Sequence, residues 1–221
     1  MANYKVVDAD QLNADLTSVA DAIRERGGTS DQMVFPEGFV SAVDGIPDYS
    51  GQVIDGSIEH YSNKTIKTMR NYAFQMCLSL KSIELPELTD PGWYAFQRCE
   101  ALETAIVPKI QKAYSHCFAV CSKLKTLDFH NLQAMYDNAF AYCGIKNLIL
   151  RRTDGLATLD ATSALSNNPI ANGTGYIYVP RSLVDSYKNA TNWSVYANQF
   201  RALEDYTVDG TTTGELDESK I

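Results

Sequence analysis

Four of the five cysteines keep one spacing: Cys77, Cys99, Cys121 and Cys143 are each 22 residues apart. Thiols are the side chains in this chain with the most chemistry to offer, as zinc ligands, disulfide partners or nucleophiles. Zinc sites draw on close pairs such as C-x2-C, whereas these cysteines arrive singly and without a histidine in register. The column reads better as small buried hydrophobes, because free cysteine packs well in apolar interiors. Stacked thiols one turn apart, or Cys117 with Cys121, are the pairs air could oxidise, and neither bridge is expected in the native protein. A Cys-His nucleophile needs its base within hydrogen-bond reach and a third group to orient it. His116 stands beside Cys117, but neighbours on an extended segment point to opposite faces. His116 also takes the position that Tyr72 and Tyr94 hold one and two periods earlier, and His130 takes that of Pro86 and Pro108. These histidines, and His60, read as substitutions in a scaffold. The chain contains no G-x-S-x-G, P-loop, H-E-x-x-H or dinucleotide-binding glycine pattern. A glycan hydrolase would need two carboxylates converging in a cleft, and no such pair can be singled out. The expectation is a protein that is not an enzyme, with no metal and no cofactor.

What positions the cysteines is a repeat. YAFQMCLSLKSIELPEL begins at Tyr72 and YAFQRCEALETAIVPKI at Tyr94. Three residues before each cysteine stands a phenylalanine, Phe74, Phe96, Phe118 and Phe140, preceded by Ala73, Ala95, Cys117 and Ala139. After each comes an L-x-x-L-x-L phrase: Leu80, Ile83, Leu85; Leu102, Ala105, Val107; Leu124, Leu127, Phe129. A fourth copy, Ile145, Leu148, Leu150, arrives one residue early, and Ile58, 22 residues before Leu80, marks a degraded first copy. Ile66, Leu88, Ile110 and Leu132 form a further column. A period of 20 to 29 residues with this phrase is the mark of leucine-rich repeats, each turn supplying one short strand. Stacking turns at about 4.8 Å builds ladders of like residues, which is how such a chain makes a core.

The phrase YAF-x-x-C-x-x-L-x-x-I-x-L-P resembles the BspA-type leucine-rich repeats of bacterial surface proteins and phage tail proteins, over roughly residues 58 to 152. The resemblance implies an α+β solenoid of short parallel strands, and a binding role whose ligand the fold does not specify.

The N-terminal segment has a different period. In DADQLNADLTSVADAIRERGG, Ala9, Leu12, Leu16, Val19 and Ile23 form one stripe and Asn13, Asp15, Asp21 and Arg24 the opposite side. Asp8 and Gln11 resemble a capping box and Gly27-Gly28 a stop, which predicts a helix over 9–26, about 27 Å long. The stripe Leu12, Leu16, Val19, Ile23 serves either packing on its own domain or an oligomer seam. Pro36 opens a short second helix with Phe39, Val40 and Val43 as its apolar face. ADAIRERGGTS and FPEGFVSAV resemble an N-terminal module of minor structural and tail-associated proteins from phages of Gram-positive hosts. That implies a virion setting, assembly in a bacterial cytoplasm, other tail proteins as partners, and no mechanism. The start, MANYKVVDADQL, lacks a secretory apolar stretch, so the expectation is a soluble chain made in the cytoplasm.

Past the repeats, RRTDGLATLDATSALSNNPIANGTG loses the period, as a terminal turn and loop would. GYIYVPRSLVDSYKNATNWSVYANQFRAL then predicts a strand at Ile177 to Val179 and helical patterns through Leu183, Tyr187, Trp193, Tyr196 and Phe200, suited to capping an open end. It resembles the closing segment of BspA-type proteins. The final TVDGTTTGELDESKI is acidic and polar, and is expected to be mobile or to pair only with a partner. The organisation is therefore 1–47 helical assembly module, 48–65 linker and degraded repeat, 66–152 repeats, 153–206 cap and 207–221 tail.

Binding falls to the surface. A net charge of −8 with 19 scattered basic residues argues against nucleic acid and an anionic membrane surface, and the lack of any apolar run near ~18–20 residues argues against membrane insertion. Four N-x-S/T sequons, at Asn63, Asn172, Asn189 and Asn192, are most simply products of an Asn- and Thr-rich sequence. The x positions of the strands should point outward: Lys81, Ser82, Glu84; Glu103, Thr104, Ile106; Lys125, Thr126, Asp128; Lys146, Asn147, Ile149. Ile106 and Ile149 among charges favour a ligand or a neighbouring subunit. Trp93, Tyr94, Tyr114 and Tyr136 at the turns either stack on sugar rings or pack between repeats. Such a face covers a few hundred Å², against ~800 Å² per partner in a standard interface, so it would act in many copies. The sequence thus predicts a non-enzymatic phage tail or tail-tip protein recognising host-surface glycan or protein, with a bacterial BspA-like surface adhesin as the alternative.

Overall fold

The computed structural model describes residues 57–221, which lie within one compact unit, Gly51–Ile221. The predicted helices at 9–26 and after Pro36, with the stripe Leu12, Leu16, Val19 and Ile23, lie outside the described residues. What is described is a repeat protein of short parallel strands with few helices.

The strands are β1 (His60–Ser62), β2 (Ser82–Glu84), β3 (Thr104–Ile106), β4 (Lys112–Ala113), β5 (Thr126–Phe129), β6 (Ala134–Met135), β7 (Asn147–Leu150), β8 (Thr158–Leu159), β9 (Tyr176–Val179) and β10 (Phe200–Ala202). One helix, α1 (Val184–Asn189), and four short 3-10 turns complete the described elements. The sheets run β1-β2-β3, β10-β9-β7-β5 and β4-β6-β8, all parallel. Their register is the sequence period made visible: His60 pairs with Ser82, Ser82 with Thr104, and Lys112 with Ala134. At β5 and β7 the offset drops to 21, Thr126 pairing with Asn147, which is the early fourth copy. Gly144 makes the shortening possible, since a Cβ there would lie 2.3 Å from the Ser122 carbonyl oxygen.

Each strand turns an apolar residue inward, and the phrase residues Leu80, Ile83, Leu85, Leu102, Leu124, Leu127, Ile145 and Leu148 are buried. The phenylalanines stack along the axis, Phe74 to Phe96 at 5.5 Å, Phe96 to Phe118 at 4.9 Å and Phe118 to Phe140 at 5.8 Å between ring centroids. Aromatic contact of this kind adds ~0.5–1.5 kcal/mol per pair beyond area burial. All five cysteines are buried, and the Sγ of Cys99, Cys121 and Cys143 reach the carbonyls of Phe74, Phe96 and Phe118 at 3.1, 3.2 and 2.8 Å. The thiols thus act as weak donors across the repeat.

The YAF-x-x-C turn is built in a way the sequence does not announce. Two residues in each copy are left-handed without being glycine: Tyr72, Tyr94, His116 and Asn138 in one column, Met76, Arg98, Val120 and Tyr142 in the other, with φ from 52 to 65°. Such a conformation costs about 1–2 kcal/mol per residue. It turns alternate amides toward the next copy, where Tyr72, Phe74 and Met76 N–H donate to the carbonyls of Trp93, Ala95 and Gln97 at 2.9, 2.7 and 2.8 Å. The same three bonds recur from Tyr94, Phe96 and Arg98 to Ser115, Cys117 and Ala119. Backbone groups that would otherwise be buried without partners offset the strain.

Beyond residue 152 the period is lost while the ladder continues. Thr158 pairs with Ala134, and Phe140 and Tyr142 N–H donate to Ala164 and Ser166 carbonyls, both at 2.9 Å. Strand β9 then joins β7, Asn147 pairing with Tyr176, and β10 joins β9. Phe200, expected within a helical pattern, opens β10 instead, because it pairs with Ile177 and its ring buries against Tyr187 and Trp193. Trp193 Nε1–H donates to the Ala157 carbonyl at 2.7 Å and Ala157 N–H donates to the Tyr187 hydroxyl at 2.8 Å, which ties the aromatic block to the last turn.

The tail corrects the sequence reading. Residues 207–221 were expected to be mobile or to await a partner, yet Thr207 bridges antiparallel to Leu216, and Val208 N–H donates to Glu215 at 2.9 Å. Ile149, Tyr178 and Leu203 form a buried cluster against which Tyr206, Leu216 and Ile221 pack.

Candidate binding face

The outward strand positions form columns running from copy to copy. The first is Glu59, Lys81, Glu103, Lys125 and Lys146, alternating in charge until its last pair. Lys81 Nζ meets Glu59 at 2.7 Å, and Glu103 is met by Lys123 at 3.5 Å. The hydrogen bond from Lys81, and then its charge, holds the Glu59 carboxyl below its usual range. These pairs are solvent-exposed, so water and salt screen them and they add little to stability. The second column is His60, Ser82 and Thr104 on one sheet, continued 22 residues later, across a break in strand pairing between β3 and β5, by Thr126, Asn147 and Tyr176. His60 Nδ1 and Ser82 Oγ lie 2.7 Å apart, and Asn147 Nδ2 donates to Thr126 Oγ1 at 3.4 Å.

The third column is Ser62, Glu84, Ile106, Asp128, Ile149 and Tyr178, and here expectation and structure diverge. Ile106 is 48% exposed between Glu84 and Asp128, as expected. Ile149, placed by its phrase on the same outward row, is fully buried under the tail. Of the twelve predicted face residues, Lys81, Glu103, Thr104, Ile106, Lys125 and Lys146 are exposed, and Ser82, Glu84, Thr126, Asp128 and Asn147 are half-buried.

The residue that sequence reasoning missed is Arg151. Its side chain is 8% exposed, and its guanidinium grips both Asp128 oxygens at 2.8 and 2.9 Å and donates through Nη1 to the carbonyls of Thr212 at 2.6 Å and Gly214 at 2.9 Å. A bidentate Arg-carboxylate pair of this kind fixes geometry as well as charge. The sequence signal lay in the third column, where two apolar residues, Ile149 and Tyr178, succeed polar ones.

The turn aromatics pack on one another. Tyr72 lies on Tyr94 at 5.0 Å and Tyr94 on His116 at 4.7 Å, both nearly parallel, while Trp93, Tyr114 and Tyr136 follow at 6.4 and 5.6 Å. The faces between stacked rings are covered, whereas Tyr72 and Trp93 remain about half exposed. The nearest approach to a nucleophilic constellation is Ser115, whose Oγ lies 2.8 Å from His116 Nδ1 and donates to Asp137 Oδ2 at 3.2 Å. In a triad the acid orients the histidine, whereas here both groups meet at the serine. Burial pushes the thiols of Cys77, Cys99, Cys117 and Cys121 upward, so they are held as thiols. Among the described residues no group of three or more His, Cys, Asp or Glu is placed to hold a metal ion, and no helix is long and apolar enough to cross a membrane.

This geometry agrees with the comparison with protein families. Residues 57–163 are similar to a BspA-type leucine-rich repeat region. The match is to the family described as BspA type leucine rich repeat region, in six copies. The region reaches past the phrase copies into the turn held by Ala164, in keeping with a ladder that outlasts its period. No curated protein matches the chain. Repeats of this kind support a protein-interaction or surface module.

Proposed function

We propose that this chain is a non-enzymatic, tail-associated phage protein whose repeat region is a short solenoid recognising host-surface glycan or protein. The observation that carries the recognition role is the division of labour within each copy. Phenylalanine, cysteine and leucine columns are spent on packing, while the outward columns of β2, β3 and β5 vary from copy to copy, with Ile106 exposed among charges. The particle setting is supported by the likeness of ADAIRERGGTS and FPEGFVSAV to modules of phage structural proteins. A face of a few hundred Å² binds weakly alone, and many copies on one particle would raise its effective concentration. On this reading the partners are other tail proteins and a host-surface ligand.

The test is binding of bead-displayed full-length protein to Gram-positive cells, beside soluble protein and the Ile106→Lys variant. The proposal expects beads to bind at least tenfold better than soluble protein and Ile106→Lys to abolish the difference. Equal binding by variant and parent beads would refute the face. The family match equally favours a second reading, a BspA-like bacterial surface protein that binds a protein partner, in which case soluble protein would bind as well as beads.

A further inference from the structure

The outward sheet surface changes character at its C-terminal end. Across β1, β2, β3 and β5 the third column is Ser62, Glu84, Ile106 and Asp128, whereas across β7 and β9 it is Ile149 and Tyr178, followed in register by Arg201 on β10. Two large apolar side chains at outward positions, both at most 1% exposed, need a cover, and residues 206–221 supply it. Tyr206 meets Tyr178 edge to face at 4.9 Å, and Leu216 and Ile221 lie against the same cluster. Arg151 holds two of the segment's carbonyls.

The cover is thin. Most of its residues are exposed, and its side-chain hydrogen bonds are largely internal, as between Asp209 and Thr211 and between Asp217 and Ser219. Segments with few buried contacts open locally at small cost relative to the core. The cover is also acidic, with Asp209, Glu215, Asp217 and Glu218 against Lys220, while the strands beneath and their flanks carry Lys146, Arg201 seated over Tyr176 at 4.2 Å, and Arg151, whose charge is shared with Asp128. Apolar centre, basic surround and a guanidinium aimed at backbone carbonyls are the features of a peptide-recognition surface.

We infer that the outward face of β7, β9 and β10 is a docking site for acidic peptide segments bearing aliphatic side chains, and that residues 206–221 are its resident occupant and gate. Tethering gives the resident segment an effective concentration near millimolar, so a competing peptide binds only when that segment is released. The inference does not depend on the phage setting.

The test uses the full chain carrying Leu216→Ser and Ile221→Ser, which removes the strap's anchors and leaves the face intact. The probe is a labelled synthetic peptide of residues 206–221, read by fluorescence anisotropy, with hydrogen exchange monitoring the strands. The proposal expects faster exchange in β7 and β9 alone, at least tenfold tighter peptide binding to the variant than to the parent, and loss of that binding when Arg151→Met is added. Unchanged exchange in β7 and β9 would show that the segment is no gate. Exchange rising equally in β2, β3 and β5 would show that strap and repeats are one core. An opened face that does not bind the peptide, or binds it equally without Arg151, would overturn the docking site.

Discussion

Arg98 offers a test of how the repeat turn is made. Its side chain is 52% exposed and its one ion pair, to Glu100 at 3.2 Å, is a surface pair, while its φ is 60°. If the strain resides in the Cβ, Arg98→Ala retains it and Arg98→Gly relieves it. A residue with a Cβ in this region costs about 1–2 kcal/mol, and the extra freedom that glycine gives the unfolded chain returns ~0.5–1 kcal/mol of that. Arg98→Gly should therefore be more stable than Arg98→Ala by about 0.5–1 kcal/mol, the reverse of the order in ordinary secondary structure. In a chain of this length that is roughly 1–4 °C in Tm. Urea denaturation followed by circular dichroism, with the parent and both variants side by side, reads the difference. A glycine variant less stable than the alanine variant would refute the account of the turn, for it would show that the left-handed residues are not under strain.

Phe118→Ala removes a fully buried ring stacked at 4.9 Å on Phe96 and 5.8 Å on Phe140, and should cost ~3–5 kcal/mol in the same assay. A loss under 1 kcal/mol would mean the ladder closes over the gap. Because the thiolate is the reactive form, burial raises the thiols of Cys77, Cys99, Cys117 and Cys121, and all five cysteines are buried from reagent, alkylation followed by mass spectrometry should label none of them in the native protein and all of them in denaturant. Burial, followed by the neighbouring Tyr206, pushes the Tyr178 hydroxyl from 10.0 up to about 12. A raised pKa of this sign stabilises the strap fully below pH 10.0 and less as pH climbs toward 12, so phenolate absorbance and hydrogen exchange in β9 should rise together across that window. Tyr178 ionising with the exposed tyrosines would contradict it.

The repeat was legible because stacking demands the same residue at the same place in every copy, so packing left its mark as a period of 22. The early fourth copy was legible too, and Gly144 is the backbone device that accommodates it. The left-handed columns were not, since Tyr72, Arg98 and Val120 carry none of the glycine that ordinarily announces such a turn. Nor was the continuation through Thr158 and Ala164, where the ladder is kept by backbone bonds that place few demands on side-chain type. Ile149 was assigned its outward direction from the pleat, but the cover comes from residues more than fifty positions away, and local pattern holds no record of that. The polar composition of 207–221 suggested mobility because its few anchors, Leu216 and Ile221, are spaced too widely to show a period.

On the proposed function a small repeat face acts through many copies, and residues 1–47 are the segment proposed to gather them. The most direct measurement is the solution mass by light scattering of the full chain and of a version beginning at Asp48. The account predicts a closed oligomer for the first and a folded monomer for the second. A monomer in both would contradict it.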